Sequence, residues 1–470
     1  MRRSVSALRA PLPHGLVPFG LGLLLAAPAA AAAQTALVAD DSLLAAEIYA
    51  EIVEIASVTG SEDSQRILSV TAARLEAAGI ETEIAGPDSA QVLVARLPGT
   101  GERPPLLLLA HLDVVPALSE DWSTDPFTLV EQDGWWYGRG TEDNKAGAAF
   151  LVCNLIRARR DGFVPDRDWI VALTSDEETN SAGIQWLVTE GRALIGEAEL
   201  ALNTDAGGGI IVGGRDQMFM VQASEKVYLT FELEVTDKGG HSSVPNPDNA
   251  IDALARGLVR LAAHRFPVSL NEVTRGFFAR SAEFADAAQA ADMRAVASES
   301  PDSAAAARLS DSPFYNALLR TTCTATRLEA GHADNALPQT ARATVNCRIL
   351  PGEPIDAVES TLNAVVADPR IRIGRKREPT ASPPSPLRPE IMEPIEELAT
   401  EMWPGVVVVP EMSTGATDGL YVRNAGIPVY GVGAIFGDPE DARAHGRDER
   451  VSVTRFYEAL EFWNRLMRRL

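Results

Sequence analysis

Six residues along the chain are of types that bind metal ions or transfer protons. In chain order they are His111, Asp143, Glu177, Glu178, Asp205 and His445. Most of them close or follow short apolar runs such as LLLLA, IVALTSD and LALNT, and Asp143 lies just before a helical stretch. Because ligands bind beyond the carboxyl ends of the strands in open α/β sheets, we expect these side chains to converge at one sheet edge.

The two histidines and three of the carboxylates suit a pair of Zn²⁺ ions that share one bridging carboxylate and leave a position for water. Glu177 and Glu178 are adjacent in the chain. If one of them binds a metal, its neighbour points elsewhere and can accept a proton from water. Asp113 is close enough to His111 to hydrogen-bond the far ring nitrogen and fix its tautomer. The pattern therefore predicts a two-metal hydrolytic site.

The glycine-rich stretch YGRGTEDNKAG, residues 137–147, could instead be a phosphate-binding loop. Two adjacent acids, Glu142 and Asp143, would repel an anion, and the spacing does not match Gly-x-x-x-x-Gly-Lys-Ser/Thr. We interpret the stretch as a tight turn whose glycines permit close approach and whose Asp143 is presented to cations. Glu142 receives no role, and Lys145 is expected to be solvated.

Apolar runs without period-2 alternation, such as PPLLLLAHLDVVP, are typical of strands buried on both faces of a parallel or mixed sheet. Helical stretches lie between them, which predicts an α/β core with helices on both faces. From residue 226 the order becomes strand, helix, two strands, helix and strand, which predicts a small α+β insert. We expect a core domain in two parts, 40–225 and 380–470, around an insert at 226–379. An alanine-rich tract at about 281–309 is expected to be helical and peripheral.

The first 33 residues begin MRR, contain no acid, and run through GLVPFGLGLLLAAPAAAAA to an Ala-x-Ala site. This predicts a cleavable signal peptide, residues 1–33, and a periplasmic or secreted protein. An uncleaved membrane anchor is the alternative, against which Pro18, Pro28 and the weakly apolar alanines count. No stable membrane span is expected after cleavage.

The whole chain has a formal net charge of −23, which argues against nucleic acid as a partner. Three cysteines leave at least one thiol unpaired. Cys323 and Cys347 are symmetric about Asn335, so that a simple antiparallel pairing of the flanking strands would place them opposite each other. We therefore keep a disulfide between them as a hypothesis.

Nine short motifs together resemble metallopeptidase family 20, which includes glutamate carboxypeptidase, aminoacylase, carboxypeptidase S and peptidase T. The motifs are HLDVVP, YGRGTEDNK, TSDEET, LNTDAGG, GGHSSVP, NALPQ, CRILPG, STGATDG and AHGRDER. The resemblance runs from about residue 50 to the end and is strongest to the carboxypeptidase S branch. It implies a dizinc exopeptidase fold whose insert is a ferredoxin-like lid and dimerisation domain.

The resemblance also implies which residues hold the metals. His111, Asp143 and Asp205 would hold one Zn²⁺. Asp143, Glu178 and His445 would hold the other, so that Asp143 bridges the pair. Co²⁺ or Mn²⁺ could replace zinc in such a site.

The remaining roles implied by the resemblance concern the substrate. Glu177 would be the general base, and His241 of GGHSSVP would reach a neighbouring active site to stabilise the oxyanion. Asn335 and Arg348 would contact the carbonyl and the carboxylate of the substrate, and Thr417 would lie in a loop beside it. A homodimer through the lid is therefore expected, although some relatives are monomers with a doubled lid.

Three functions remain open from the sequence. The first is an exported zinc-dependent exopeptidase, of carboxypeptidase or dipeptidase type, acting on small peptides or N-acyl amino acids. The second is an N-acyl amino acid amidohydrolase of aminoacylase type, whose reaction could also run toward synthesis. The third is a metal-free binding protein that keeps the fold, and the complete set of metal-type residues speaks against it.

Overall fold

The computed structural model describes residues 39–470, and the predicted signal peptide, residues 1–33, lies outside the described residues. The helices are α1 (Ala39–Val53), α2 (Glu62–Ala77), α3 (Lys145–Arg160), α4 (Ala182–Val188), α5 (Arg192–Ile195), α6 (Ala250–Ala263), α7 (Glu272–Ser281), α8 (Ala287–Ala297), α9 (Ser303–Leu309), α10 (Pro313–Leu319), α11 (Ile355–Val366), α12 (Pro389–Met402), α13 (Gly419–Asn424) and α14 (Val453–Arg469). Within the described part of the chain, no helix combines the length and the apolar character that crossing a membrane requires.

The strands form one large sheet, one four-stranded sheet and two small ribbons. They are β1 (Glu81–Ala85), β2 (Val92–Leu97), β3 (Leu106–His111), β4 (Val130–Gln132), β5 (Trp135–Tyr137), β6 (Trp169–Thr174), β7 (Leu200–Asn203), β8 (Gly208–Val212), β9 (Arg215–Glu225), β10 (Val227–Thr236), β11 (Gly240–His241), β12 (Thr322–Ala330), β13 (Ala336–Leu337), β14 (Thr340–Ile349), β15 (Arg372–Arg375), β16 (Val407–Ser413), β17 (Val429–Gly431), β18 (Phe436–Gly437) and β19 (Arg450–Ser452).

The large sheet is ten-stranded and mixed, in the order β1-β2-β6-β3-β7-β17-β9-β8-β18, with β16 beside β9. Its four central strands, β6, β3, β7 and β17, run parallel to one another. His111 at the end of β3 stands level with Thr174 at the end of β6. The carboxyl ends of these strands therefore meet at one edge, and the predicted α/β fold with a mixed sheet is confirmed.

The leucine run of β3 explains why helices cover both faces of this sheet. All six residues of the strand are buried. Leu106 and Leu108 belong to the core beneath α1, α2, α3 and α14, whereas Leu107 and Leu109 belong to the core beneath α4 and α13. Successive side chains of a strand point to opposite faces, so an unbroken apolar run is stable only where both faces are buried.

The four-stranded sheet is antiparallel, in the order β12-β14-β10-β15. Alternate residues of β10, among them Leu229, Phe231 and Leu233, pack with α6 and α11 on one face. The predicted order of strand, helix, two strands, helix and strand is found in β10, α6, β12, β14, α11 and β15. The domain boundaries and the lid role remain predictions.

Helices α7 to α10 lie within the predicted insert, residues 226–379, but contribute to the hydrophobic cluster that contains the core of the large sheet. Ala290, Met293 and Val296 of α8 are buried in this cluster, and the main contacts of α8 are with α7 and α9, so the tract is helical as predicted. Helix α7 lies against β16. A Cβ on Gly276 would stand 2.7 Å from Pro410 Cγ, so only glycine permits this approach.

The cysteine hypothesis is confirmed. Cys323 of β12 stands opposite Cys347 of β14, and the two form a disulfide. Cys153 is a buried free thiol in α3. The bond joins the edge strand of the four-stranded sheet to its neighbour.

Candidate metal centre and substrate cleft

The structure brings the predicted metal-type residues together at the carboxyl edge of the large sheet. His111 ends β3, Glu178 follows β6, and Asp205 follows β7. Asp143 lies just before α3, and His445 lies in the loop that precedes β19. They form two groups that share Asp143, and each group has ligand atoms close enough to hold a metal ion.

The shared carboxylate presents one oxygen to each histidine. His111 Nε2 lies 2.9 Å from Asp143 Oδ1 and 3.5 Å from Asp205 Oδ1. His445 Nε2 lies 3.1 Å from Asp143 Oδ2 and 2.9 Å from Glu178 Oε1. The arrangement is that of two adjacent ligand sets joined by one carboxylate.

The environment of His111 fits a cation. Its Nδ1 donates to the backbone carbonyl of Asp113 at 3.0 Å, which leaves Nε2 facing two carboxylates, those of Asp143 and Asp205. One ring nitrogen can donate at most one hydrogen, whereas a divalent cation binds the nitrogen and both oxygens together. A histidine whose other ring nitrogen donates to a carbonyl is the usual form of a metal ligand.

Negative charge accumulates around the same edge. Burial raises the pKa of Asp205 to about 6. Burial, and then the charge of Asp205, raise the pKa of Glu177 well above its ordinary value. Hydrogen bonds to Asp143 and Glu178 raise the pKa of His445 to about 10. A bound cation reduces the electrostatic repulsion among buried carboxylates that are clustered in this way.

Asp113 has a different partner from the one expected. Its Oδ1 is 3.6 Å from His111 Nδ1, too long for a hydrogen bond, so the tautomer is fixed by its backbone carbonyl. Its carboxylate accepts from the backbone N–H groups of Glu177 and Glu178, each at 3.1 Å, and from the hydroxyl of Thr59 at 2.8 Å. Asp113 therefore holds the turn that carries both glutamates.

Glu449 is a residue of the centre that the sequence reasoning missed. Its carboxylate is fully buried and accepts from Arg139 at 2.6 Å. It also accepts from the backbone N–H groups of Gly140, Glu142 and Asp143, at 3.0, 2.8 and 3.1 Å. The motif AHGRDER contains Glu449, but only its histidine drew attention. Glu449 shapes the loop that presents Asp143.

We expect Glu449→Gln to lower the free energy of unfolding by about 3 kcal/mol, because it leaves the buried Arg139 without its carboxylate. The measurement is the thermal unfolding midpoint of the variant against the parent. Arg447→Gln removes an exposed arginine from the same motif and serves as the control. Equal midpoints for the two variants would contradict the role of Glu449.

Lys145 is buried, and the expectation that it is solvated is wrong. Its Nζ donates to the carbonyl of Ile55 at 2.7 Å, and burial lowers its pKa to about 7. Its stem packs under Gly140, which has φ of 82°. A Cβ on Gly140 would stand 2.6 Å from Val114 and 3.1 Å from Lys145, so this glycine lets the turn close over the lysine.

A cleft of about 360 Å³ opens beside the metal centre. Glu177 and Glu178 line one part of it, and Lys226, Tyr228 and Arg377 line another. Thr417 also lines the cleft, as its predicted place beside the substrate requires. Its backbone N–H donates to the buried carboxylate of Glu225 at 2.9 Å, which fixes the loop.

The structure places the other predicted substrate residues at two locations. Arg348 donates to the carbonyl of Thr414 at 2.8 Å and stacks on Tyr228, so it borders the cleft. His241 and Asn335 are exposed on the ribbon of β11 and β13, where the N–H of Ser242 donates to the carbonyl of Asn335 at 3.0 Å. Neither His241 nor Asn335 is among the residues that line the cleft of the described chain.

Comparison with known proteins shows which enzymes the whole chain is similar to. The chain is similar to the N-fatty-acyl-amino acid synthase/hydrolase PM20D1 of Homo sapiens, with 29% identity over 381 residues, covering 76% of this chain and 72% of that protein. It is 28% identical over 378 residues to the probable carboxypeptidase S-like 2 of Dictyostelium discoideum, covering 77% and 71%. The M20 family metallo-carboxypeptidase Sso-CP2 from Sulfolobus solfataricus shares its fold, with a TM-score of 0.65, 18% identity and coverage of 90% and 98%.

The family match itself is extensive. The description Peptidase family M20/M25/M40 fits residues 107–469, which is well over half of the chain. The resemblance carried by the nine motifs is thereby confirmed. The protein belongs to peptidase family M20/M25/M40 and is an enzyme of that peptidase family.

Proposed function

We propose that the protein is an exported, zinc-dependent exopeptidase that releases an amino acid with a free carboxylate from small peptides. One observation carries this proposal. Glu177 and Glu178, the latter from one ligand set, line the same cleft as Arg377, so an amide bond could lie at the metals while a carboxylate faces the Arg377 guanidinium. Export rests on the sequence of residues 1–33 alone.

The two ligand sets would each hold one Zn²⁺. When bound, two such ions lower the pKa of a water molecule and polarise the carbonyl of the bond to be cleaved. Nitrogen and carboxylate oxygen are the donors that zinc accepts, and the three residues of each set leave a position for other ligands. Asp143 serves both sets, since its two oxygens face different histidines.

Glu177 is the proton carrier in this proposal. It adjoins Glu178 but belongs to neither ligand set, and Asp113 holds its backbone. Its raised pKa suits a group that accepts a proton from the attacking water and then gives it to the leaving nitrogen. The amide bond breaks, and the products are a carboxylic acid and a free amine.

His241 would act from a second copy of the chain. It is exposed on a ribbon away from the cleft of its own chain, and its Nδ1 lies 2.7 Å from Ser243 Oγ. Asn335 lies beside it on the same ribbon. A dimer that set this ribbon over the partner's cleft would supply a donor for the oxyanion and a contact for the substrate carbonyl.

A second candidate is an N-acyl amino acid amidohydrolase, which the similarity to an N-fatty-acyl-amino acid synthase/hydrolase favours. The cleft favours the peptide substrate, because its walls include the polar residues Thr179, Asn180, Ser181, Thr380 and Ser382. Both candidates use the same chemistry at the metals and differ in the group that precedes the amide bond.

Metal removal tests the proposal. The purified enzyme is expected to hold about two zinc ions per chain and to lose at least about 100-fold in activity after dialysis against a chelator. Zn²⁺, Co²⁺ or Mn²⁺ should restore the activity, measured on dipeptides and N-acyl amino acids in parallel. Cleavage of acyl substrates alone would replace the first candidate by the second. Full activity of the metal-free enzyme would refute both.

A further inference from the structure

Two arginines flank one tyrosine at the edge of the cleft. The guanidinium of Arg348, on β14, lies 4.6 Å from the ring centre of Tyr228, and that of Arg377, just after β15, lies 4.7 Å from it. Tyr228 itself is on β10. Both arginines therefore stand where the four-stranded sheet joins the rest of the chain.

These two cations differ from the basic residues around them. Arg375 is paired with Glu359 at 2.7 Å, Arg327 with Glu329 at 2.6 Å, and Lys376 lies 3.7 Å from Glu232. Arg348 and Arg377 take part in no ion pair with a carboxylate of the described residues. Arg348 has only neutral hydrogen-bond partners, the side chain of Asn346 and the carbonyl of Thr414.

The space in front of the two arginines continues from the cleft. Tyr228 and Arg377 line the cleft that also contains Glu177. With Arg348 they line an adjoining depression of about 600 Å³, in which none of the lining residues is an aspartate or a glutamate. A basic region therefore adjoins the cleft in a chain whose net charge is −23.

The positive charges of the two arginines repel each other. Burial lowers the pKa of Arg348, and the charge of Arg377 lowers it further. A carboxylate bound at each guanidinium offsets both the burial and the repulsion, and it can accept two parallel hydrogen bonds from that group. Tyr228 keeps the two groups near each other through cation–π contacts.

We propose that Arg348 and Arg377 bind the two carboxylates of an acidic leaving amino acid, so that the enzyme prefers substrates ending in glutamate or aspartate. The inference rests on the proposed function, in which Arg348 receives the α-carboxylate. Arg377 then receives the side-chain carboxylate and is the residue that determines specificity.

Glutamate and glutamine substrates test this proposal, because the two side chains have nearly the same shape and differ in charge. The probes are Gly-Glu against Gly-Gln, and N-acetylglutamate against N-acetylglutamine. The expected kcat/KM ratio in favour of glutamate is about tenfold or more, the usual effect of hydrogen bonds between charged groups. Arg377→Gln should bring the ratio to about one. Arg327→Gln, which removes an arginine that Glu329 already pairs, should keep the parent ratio.

Each other outcome has a definite meaning. Equal kcat/KM values of the parent enzyme on both substrates would overturn the inference and leave the proposed exopeptidase function standing. An unchanged ratio in Arg377→Gln, even with both rates lowered, would overturn it too, because it would reduce Arg377 to a structural role. Calorimetric titration with free glutamate and glutamine gives a reading that does not depend on turnover. Tighter binding of glutamate by the parent, lost in Arg377→Gln, would support the inference even if the proposed reaction failed.

Discussion

Glu177→Gln is expected to lower kcat by about 10³-fold while the protein keeps its metal ions, since a positioned general base contributes that much to such reactions. The amide has nearly the size of the carboxylate, so the turn held by Asp113 should persist. It cannot accept the proton of the attacking water. The measurements are steady-state kcat on the best substrate and metal content by elemental mass spectrometry.

The neighbouring variant Glu178→Gln is the matched control. Glu178 Oε1 lies 2.9 Å from His445 Nε2, within one ligand set, so this variant should lose both metal and activity. The same chemical change at adjacent positions then separates proton transfer from metal binding. Near-normal turnover in Glu177→Gln, or loss of metal from it, would refute the role assigned to Glu177.

The position of the site could be predicted because strand ends leave a clear pattern in the sequence. Apolar runs end at His111, just before Glu177 and just before Asp205, and parallel pairing brings those ends level. The pattern needs no knowledge of side-chain partners. The convergence of metal-type residues at one sheet edge followed from the order of elements alone.

The supporting contacts could not be predicted, because they join residues that are distant in the chain. The pair of Arg139 and Glu449 spans 310 residues, and Lys145 finds the carbonyl of Ile55 across 90. Charged residues are usually solvated, so nothing in the local sequence marks these as buried. The partners of Asp113 could not be predicted either, because two of them are backbone N–H groups, which every residue except proline has and which therefore leave no pattern in the sequence.

The packing of the helical tract was missed for a different reason. An alanine-rich helix has a weak apolar pattern, because small side chains are compatible with both buried and exposed faces. Helix α8 buries Met293 and Val296 where it packs on α7 and α9, while Asp292 pairs with Arg308 at its surface. Helices α7 to α10 thus share the hydrophobic cluster of the large sheet, which the order of elements did not indicate.

Asp143→Ala is expected to release both metal ions and to lower activity by at least about 10³-fold, because its carboxylate alone belongs to both ligand sets. Its Oδ1 faces His111 at 2.9 Å and its Oδ2 faces His445 at 3.1 Å. The backbone N–H of Asp143 would still donate to Glu449, so the loop should keep its shape. The check is the metal content per chain after dialysis, with circular dichroism to confirm folding.

Asp205→Ala distinguishes a ligand that both metal ions share from a ligand that binds only one ion. Asp205 contacts only the set of His111, at 3.5 Å, so this variant should release one ion and keep about one. If Asp143 bridges the centre and the two ions bind independently, the two alanine variants differ in stoichiometry. Equal loss from both would mean that the two ions bind only as a pair. Retention of both ions by Asp143→Ala would mean that the shared carboxylate is not a ligand, and the two-metal assignment would fail.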